Sequence, residues 1–262
     1  MARLRTWERI RRFGESILAN RLIVKGLSAG YGAVSVLREL SLEVRQGELV
    51  ALLGTNGNGK STLLNAIMGL LRSTSGSVRL EWEGETTELN GLRAEQIVAH
   101  GVTLVPEGRR LFPHLTVEEN LTLGGSGRRA RARLSENLKF AFTTFPLLAE
   151  RRSQRAGTMS GGQQQLLAIA RALMSEPRIM LVDEPSVGLA PVAVDQVFAN
   201  IKALQRERGL AVLMSEQSIV QTIAIADRSY LITHGRIDRE FDREHANASA
   251  DAIRATLLGG VG

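Results

Sequence analysis

The sequence predicts an α/β fold with a mostly parallel central sheet, and three observations carry that prediction. Strand-like stretches alternate with helical ones along most of the chain. A glycine-rich loop, Gly54–Ser61, joins an apolar strand to a helix. A continuous apolar run, Ile179–Val182, has the pattern of a central parallel strand and ends in two acids, Asp183 and Glu184.

Residues 22–53 read as strands: Leu22–Leu27, Leu40–Val44 and Leu49–Leu53, broken by Gly30, Gly32 and Gln46-Gly47. A helix is expected from Lys60 to about Leu71. Gly76–Trp82 and the segment around Thr86–Leu89 predict a further hairpin, so an antiparallel β unit accompanies the main sheet. Val102–Val105 predicts a short buried strand. From Val117 to about Met174 the pattern is helical, with a basic, glycine-rich break at Gly124–Arg129, which predicts an inserted helical subdomain over about 92–176. After Ile179–Val182 come a helix at Val192–Arg208, a strand at Ala211–Met214, a helix at Ile219–Ala226 and a strand at Ser229–Thr233. Glu244–Leu258 predicts a closing helix. Residues 1–20 form a basic extension, 21–242 the main domain and 243–262 a C-terminal helix and tail. There is no internal repeat, so the chain holds one copy of its unit.

Composition narrows the functions. At 44% hydrophobic residues the chain can build a core. Aromatics are 4%, too few for the stacking platforms of single-strand binders. Cysteine is absent, which excludes disulfides, Cys-ligated zinc and thiol catalysis. No apolar run approaches the roughly 18 residues of a membrane span. The N-terminus lacks the apolar stretch of a secretory signal. A net charge of +6 suits an anionic partner. Much of the excess lies in residues 1–25, where Arg3, Arg5, Arg9, Arg11, Arg12, Arg21 and Lys25 face only Glu8 and Glu15. Within Leu4–Leu18, Trp7, Ile10, Phe13, Ile17 and Leu18 share one helical face opposite Arg5, Arg9 and Arg12. That segment reads either as a surface helix on a membrane or permease, or as an appended extension. A second basic stretch runs from Arg128 to Arg155. The four histidines share no metal-like spacing.

Gly54-Thr55-Asn56-Gly57-Asn58-Gly59-Lys60-Ser61 fits G-x-x-x-x-G-K-[ST]. Glycines let successive backbone N–H groups turn inward around phosphate oxygens, and the helix start at Lys60, Ser61 and Thr62 adds a favourable dipole. Lys60 would reach the β- and γ-phosphates and Ser61 would ligate Mg²⁺. Asp183 and Glu184 stand at the carboxyl end of a strand, where open parallel sheets present ligands. Asp183 would hold the Mg²⁺ shell and Glu184 would orient or deprotonate the attacking water.

Met159-Ser160-Gly161-Gly162-Gln163 precedes the helix Gln164–Met174. Ser160 sits at an N-cap position, and Gly161 and Gly162 free the backbone to approach a phosphate. One nucleotide does not need two such loops in one chain. A head-to-tail dimer explains both, with Ser160–Gln163 closing over the partner's γ-phosphate.

These segments resemble the ABC ATPases, whose signature Leu-Ser-Gly-Gly-Gln appears here with Met159 in first place. The resemblance covers roughly residues 21–240 and makes that stretch an ABC nucleotide-binding domain of P-loop type. It puts Tyr31 at the adenine-stacking position. Glu107 stands at the Q-loop position, Ala190 at the usual D-loop aspartate, and Gln217 at the switch histidine. With Thr116-Val117-Glu118-Glu119-Asn120-Leu121, these choices look most like the ATPases of branched-chain amino-acid importers and next most like urea-importer ATPases. The resemblance implies an ATPase using ATP and Mg²⁺. It implies a homodimer or a heterodimer with a related ATPase subunit, two membrane permease subunits, and an indirect partnership with an extracytoplasmic solute-binding protein. It also implies a cytoplasmic location at the inner face of the membrane. Glu107 is left between a place in the Mg²⁺ shell and a permease contact. Gln217 can donate to a γ-phosphate but takes up no proton, so the base role falls to Glu184 alone. A soluble relative acting on nucleic acid or ribosomes would carry long heptads, zinc insertions or a second ATPase copy, and none is present. A purely structural subunit would not need Lys60, Asp183 and Glu184.

Overall fold

The computed structural model describes residues 20–243. The N-terminal amphipathic segment and the Glu244–Leu258 helix expected from sequence lie outside the described residues. Arg21–Tyr31 (β1) and Val34–Arg45 (β2) form an antiparallel hairpin that buries Leu22, Val24, Leu27, Leu37, Leu40 and Leu42. Both strands run further toward their turn than the sequence suggests. Gly30 stays in the ladder, where a Cβ would meet the Val34 carbonyl oxygen at 2.0 Å. That approach is open only to glycine.

Leu49–Leu53 (β3) is buried at every residue. Lys60–Ile67 (α1) follows it and stops short of the expected Leu71. Gly69 turns left-handed there (φ 67°), with Leu92 O so close that a Cβ would meet it at 2.5 Å. Ser73–Trp82 (β4) and Glu85–Glu88 (β5) complete a four-stranded antiparallel sheet in the order β2-β1-β4-β5. Ala94–Ala99 (α2), which sequence alone does not predict, leads into Val102–Val105 (β6). The helices Val117–Gly124 (α3), Arg128–Arg131 (α4), Leu134–Thr144 (α5), Pro146–Glu150 (α6) and Gly161–Leu173 (α7) come next. Ile179–Asp183 (β7), Pro191–Arg208 (α8), Ala211–Glu216 (β8), Ile219–Ile225 (α9), Arg228–Thr233 (β9) and Arg236–Asp242 (β10) finish the described chain.

The main sheet runs β10-β9-β3-β8-β7-β6, with every pairing parallel except β10 with β9. The 92–176 stretch expected as a helical insertion therefore contributes β6 to this sheet. Alternation splits the core. Leu49, Ala51, Leu53, Met180, Val182, Val212 and Met214 face a cluster with α3, α7, α8 and α9. Val50, Leu52, Ile179, Leu181, Ala211 and Leu213 face α1 and the antiparallel sheet. Helices thus cover one face, and the β unit with α1 covers the other. Each fully buried leucine or isoleucine contributes roughly 1.5–3 kcal/mol, so the sheet is clamped from both sides and its loops leave a rigid edge. Among the described residues no helix is long and apolar enough to cross a membrane.

Candidate functional site

Register puts the site together. Leu53 lies opposite Glu216, Asp183 opposite Ser215, and Val105 opposite Val182, so β3, β8, β7 and β6 end on one edge of the sheet. This carboxyl edge is where parallel sheets present ligands.

The loop after β3 is shaped by glycine. Gly57 (φ 82°) and Gly59 (φ 100°) are left-handed, and a Cβ on Gly59 would press against Leu37 Cδ2 at 2.9 Å. Asn58 is a brace: its Nδ2 donates to Thr55 Oγ1 (2.7 Å) and its Oδ1 accepts from His234 N (2.9 Å) in the β9–β10 turn. Thr55, Asn56 and Gly57 are exposed, whereas Gly54 is buried. The first backbone bond at the start of α1 is Leu63 N to Gly59 O at 2.9 Å, and no side chain caps the helix. The N–H groups of Gly59, Lys60, Ser61 and Thr62 make no hydrogen bond among the described residues. Unspent donors at a helix start form an anion seat.

Behind that seat lies a buried polar cluster. Lys60 Nζ donates to Gly54 O (2.8 Å) and Thr55 O (3.2 Å) and pairs with Glu184 Oε1 at 2.9 Å, with both side chains buried. Such a pair is costly to break one-sidedly, because the survivor is a desolvated charge. Gln217 Nε2 donates to the other Glu184 oxygen at 2.5 Å. Glu184 has a left-handed backbone (φ 44°), a strained conformation for a side chain with a Cβ. It ends the strand alternation, so Asp183 and Glu184 both address the start of α1. Asp183 Oδ1 accepts from Ser61 Oγ (3.1 Å) and Ser215 Oγ (2.6 Å). Burial pushes the Asp183 carboxyl up, against the downward pull of those two hydroxyls. A divalent cation beside Asp183 and Ser61 would relieve that desolvated charge, and hard oxygen donors completed by phosphate and water suit Mg²⁺.

Lys60, Ser61, Asp183, Glu184 and Gln217 therefore meet in one place. Tyr31 stands half-exposed at the tip of the β1–β2 hairpin, whose Val36 and Leu37 pack under Gly59. Glu107 is exposed and makes no hydrogen bond or ion pair among the described residues. Ser160 caps α7 as expected: Gln163 N donates to Ser160 Oγ (3.4 Å), and Ser160 N to Gln163 Oε1 (3.0 Å). Ser160, Gly161, Gly162 and Gln163 form no hydrogen bond with the phosphate loop of their own chain.

Three positions in or beside the candidate site escape a reading of the sequence. Ser215 ties Asp183 to the Glu184 backbone, whose N–H donates to Ser215 Oγ at 3.1 Å. Glu216 is wholly buried. Arg109 is left-handed (φ 64°) and reaches α7, donating to Gln164 Oε1 at 3.3 Å. The available signal for the first two was a polar pair ending an apolar strand.

Kinases, GTPases and motor ATPases share a phosphate loop with a facing acid. The second glycine-flanked, self-capped helix start in the same chain narrows the class to an ATP-binding cassette ATPase. The chain belongs to the ABC transporter family, whose model matches residues 37–187. It is similar to the high-affinity branched-chain amino acid transport ATP-binding protein BraG of Pseudomonas aeruginosa, with 46% identity over 234 residues, 89% of this chain and 97% of BraG. Among solved structures it is similar to the ADP conformation of MJ1267, an ATP-binding cassette of an ABC transporter (TM-score 0.78, 26% identity, 92% of this chain and 99% of the other). It is also similar to a dimeric post-hydrolysis state of the cassette MJ0796 bound to ADP and Pi (TM-score 0.72, 26% identity, 85% and 98% covered).

Proposed function

We propose that this ATPase drives an importer of branched-chain amino acids from the inner face of the membrane, as one half of a head-to-tail pair acting on two permease subunits. The observation that carries the hydrolytic half is the Lys60–Glu184–Gln217 cluster. Likeness to BraG over nearly the whole of both chains supports the solute.

The phosphate oxygens of ATP compete with Glu184, Gly54 O and Thr55 O for the Lys60 ammonium. When Lys60 turns to the phosphates, Glu184 loses its cation but keeps the Gln217 amide on one oxygen. The freed oxygen is then a base held in a fixed direction, able to take a proton from an attacking water. Ser61 and Asp183 would hold Mg²⁺, which would supply positive charge against the phosphates. The Gly59–Thr62 N–H groups receive the phosphates, and Tyr31, half-exposed, offers its ring to the adenine. Ser160–Gln163 would complete the partner's site. Exposed Val187 and Val192 flank this surface, and Ala193 lies under Gly162, where a Cβ would meet it at 2.8 Å. We infer a permease contact for Glu107, since its loop continues into exposed Phe112. That ring lines a 270 Å³ groove with Thr103, Leu104, Leu123 and Arg171.

Glu184→Gln tests the hydrolytic reading. Phosphate release should fall at least about 100-fold, while ATP binding survives or tightens, because Lys60 no longer leaves an ion pair. Near wild-type turnover would remove Glu184 as the base. Uptake of leucine rather than urea by the transporter reconstituted in vesicles tests the solute.

A further inference from the structure

Glu216 is a carboxylate with no exposed surface and no basic partner among the described residues. Its partners are all neutral donors. Ser186 N donates to Oε1 (2.9 Å), Ser186 Oγ to Oε2 (2.8 Å), and Gln217 N to Oε2 (3.1 Å), while the Ser218 N–H also points at it. Burying an ionised acid costs stability unless its lone pairs are filled, and these donors fill them. They come from two different loops. Ser186 belongs to the segment after Glu184, and Gln217 holds the Glu184 carboxylate itself. The Ser186 segment continues to Leu189, whose Cδ2 would lie 3.3 Å from a Cβ on Gly161. Hydrogen bonds therefore lead from Gln217 through Glu216 and Ser186 to Leu189, whose side chain lies near Gly161 at the start of α7.

We infer that Glu216 is a positioning residue that locks Gln217 and the 185–189 loop into one unit. A γ-phosphate felt by Glu184 and Gln217 is thereby communicated to Ser160–Gly162 of the same chain, which serve the other nucleotide. The inference rests on the proposed reading of those residues. It assigns Glu216 the coupling between the two ATP sites and gives it no part in the chemistry.

The test is Glu216→Gln in the full-length chain. The amide keeps size but presents an NH₂ where a donor already points, so at least one bond is lost. Turnover at saturating ATP should fall roughly tenfold. The Hill coefficient for ATP should drop from above one to one. Affinity for a fluorescent ATP analogue should stay within about twofold, since no phosphate contact changes. Ser186→Ala, on a part-exposed loop, should show the same pattern more weakly. The double variant should be no worse than Glu216→Gln alone, because both break one link. The inference is overturned by a wild-type Hill coefficient of one. It is also overturned by unchanged kcat and Hill coefficient in both folded variants, or by parallel losses of turnover, affinity and melting temperature in both. Failure of the underlying site reading is separately visible as undiminished hydrolysis in Glu184→Gln.

Discussion

The start of α1 is tied into the sheet from every side: Lys60 to Glu184, Ser61 to Asp183, Glu184 to Gln217. The start of α7 is held by its own reciprocal Ser160–Gln163 cap and by bonds linking Gln164 to Ala156 and Arg109, none of which reaches the phosphate loop. Both are glycine-flanked helix N-termini, and both are suited to phosphate. The first has its lysine, acids and amide within its own chain. The second exposes Ser160 and has the Arg109 guanidinium near Gly161, but it has no lysine–carboxylate cluster of the kind that surrounds the first. This contrast teaches that a phosphate-binding terminus becomes a hydrolytic site only when the sheet edge supplies the charged groups. A terminus without them is what the proposed pairing of chains would use, each chain's α7 start completing the other's site.

The largest expected effect breaks the contrast directly. Lys60→Ala and Ser160→Arg chains should each be nearly inactive alone. On mixing, one composite site carries both defects and the other carries neither, so phosphate release should reappear if one intact site suffices. Ser160 is the better target than Gly162, where any side chain would press on Ala193. A cross-linked mixed dimer as inactive as its parents would count against composite sites working independently.

A smaller effect is expected at Gln217, which belongs to the tied end. Gln217→Ala removes the donor that aims Glu184, and a hydrogen bond to a charged group is worth about 1.5–3 kcal/mol. Turnover should fall at least about tenfold with the fold intact. Gln217→His should retain activity and introduce a pH dependence between about pH 6 and 8. An alanine variant with unaltered turnover would make the 2.5 Å contact incidental.

The smallest effect concerns stability. The folded Asp183 pKa is raised above 3.8 by burial, so the folded chain holds that proton more tightly than the unfolded one. The penalty is absent below the unfolded value and grows as pH rises through the folded one. With metal chelated, Asp183→Asn should melt higher than wild type at neutral pH, and the gain should shrink as pH falls toward about 4. Equal melting temperatures at neutral pH would show that the Ser61 and Ser215 hydroxyls already offset the burial.

The elements legible in sequence are those whose pattern is local. Leu49–Leu53 is apolar throughout because both its faces are covered, and Ser160 with Gln163 is a complete capping motif within four consecutive residues. The elements that escaped carry too little apolar pattern. α2 buries only Ile97 and β10 only Phe241, a six-residue helix and a strand at the sheet's edge. Ser215 and Glu216 escaped for a different reason. A buried acid after an apolar strand has no readable partner until the strand's neighbours are known.

Sequence by itself determined the fold class, the phosphate loop, the facing acids and the second capped terminus, because each is written in residues close together and enforced by backbone geometry or periodicity. Tertiary structure alone decided which of these residues meet. The register of β8 between β3 and β7 sets Gln217 on Glu184, Ser215 on Asp183 and Glu216 on Ser186. Strand order is settled by packing two apolar faces at once, and that balance is spread over the whole core.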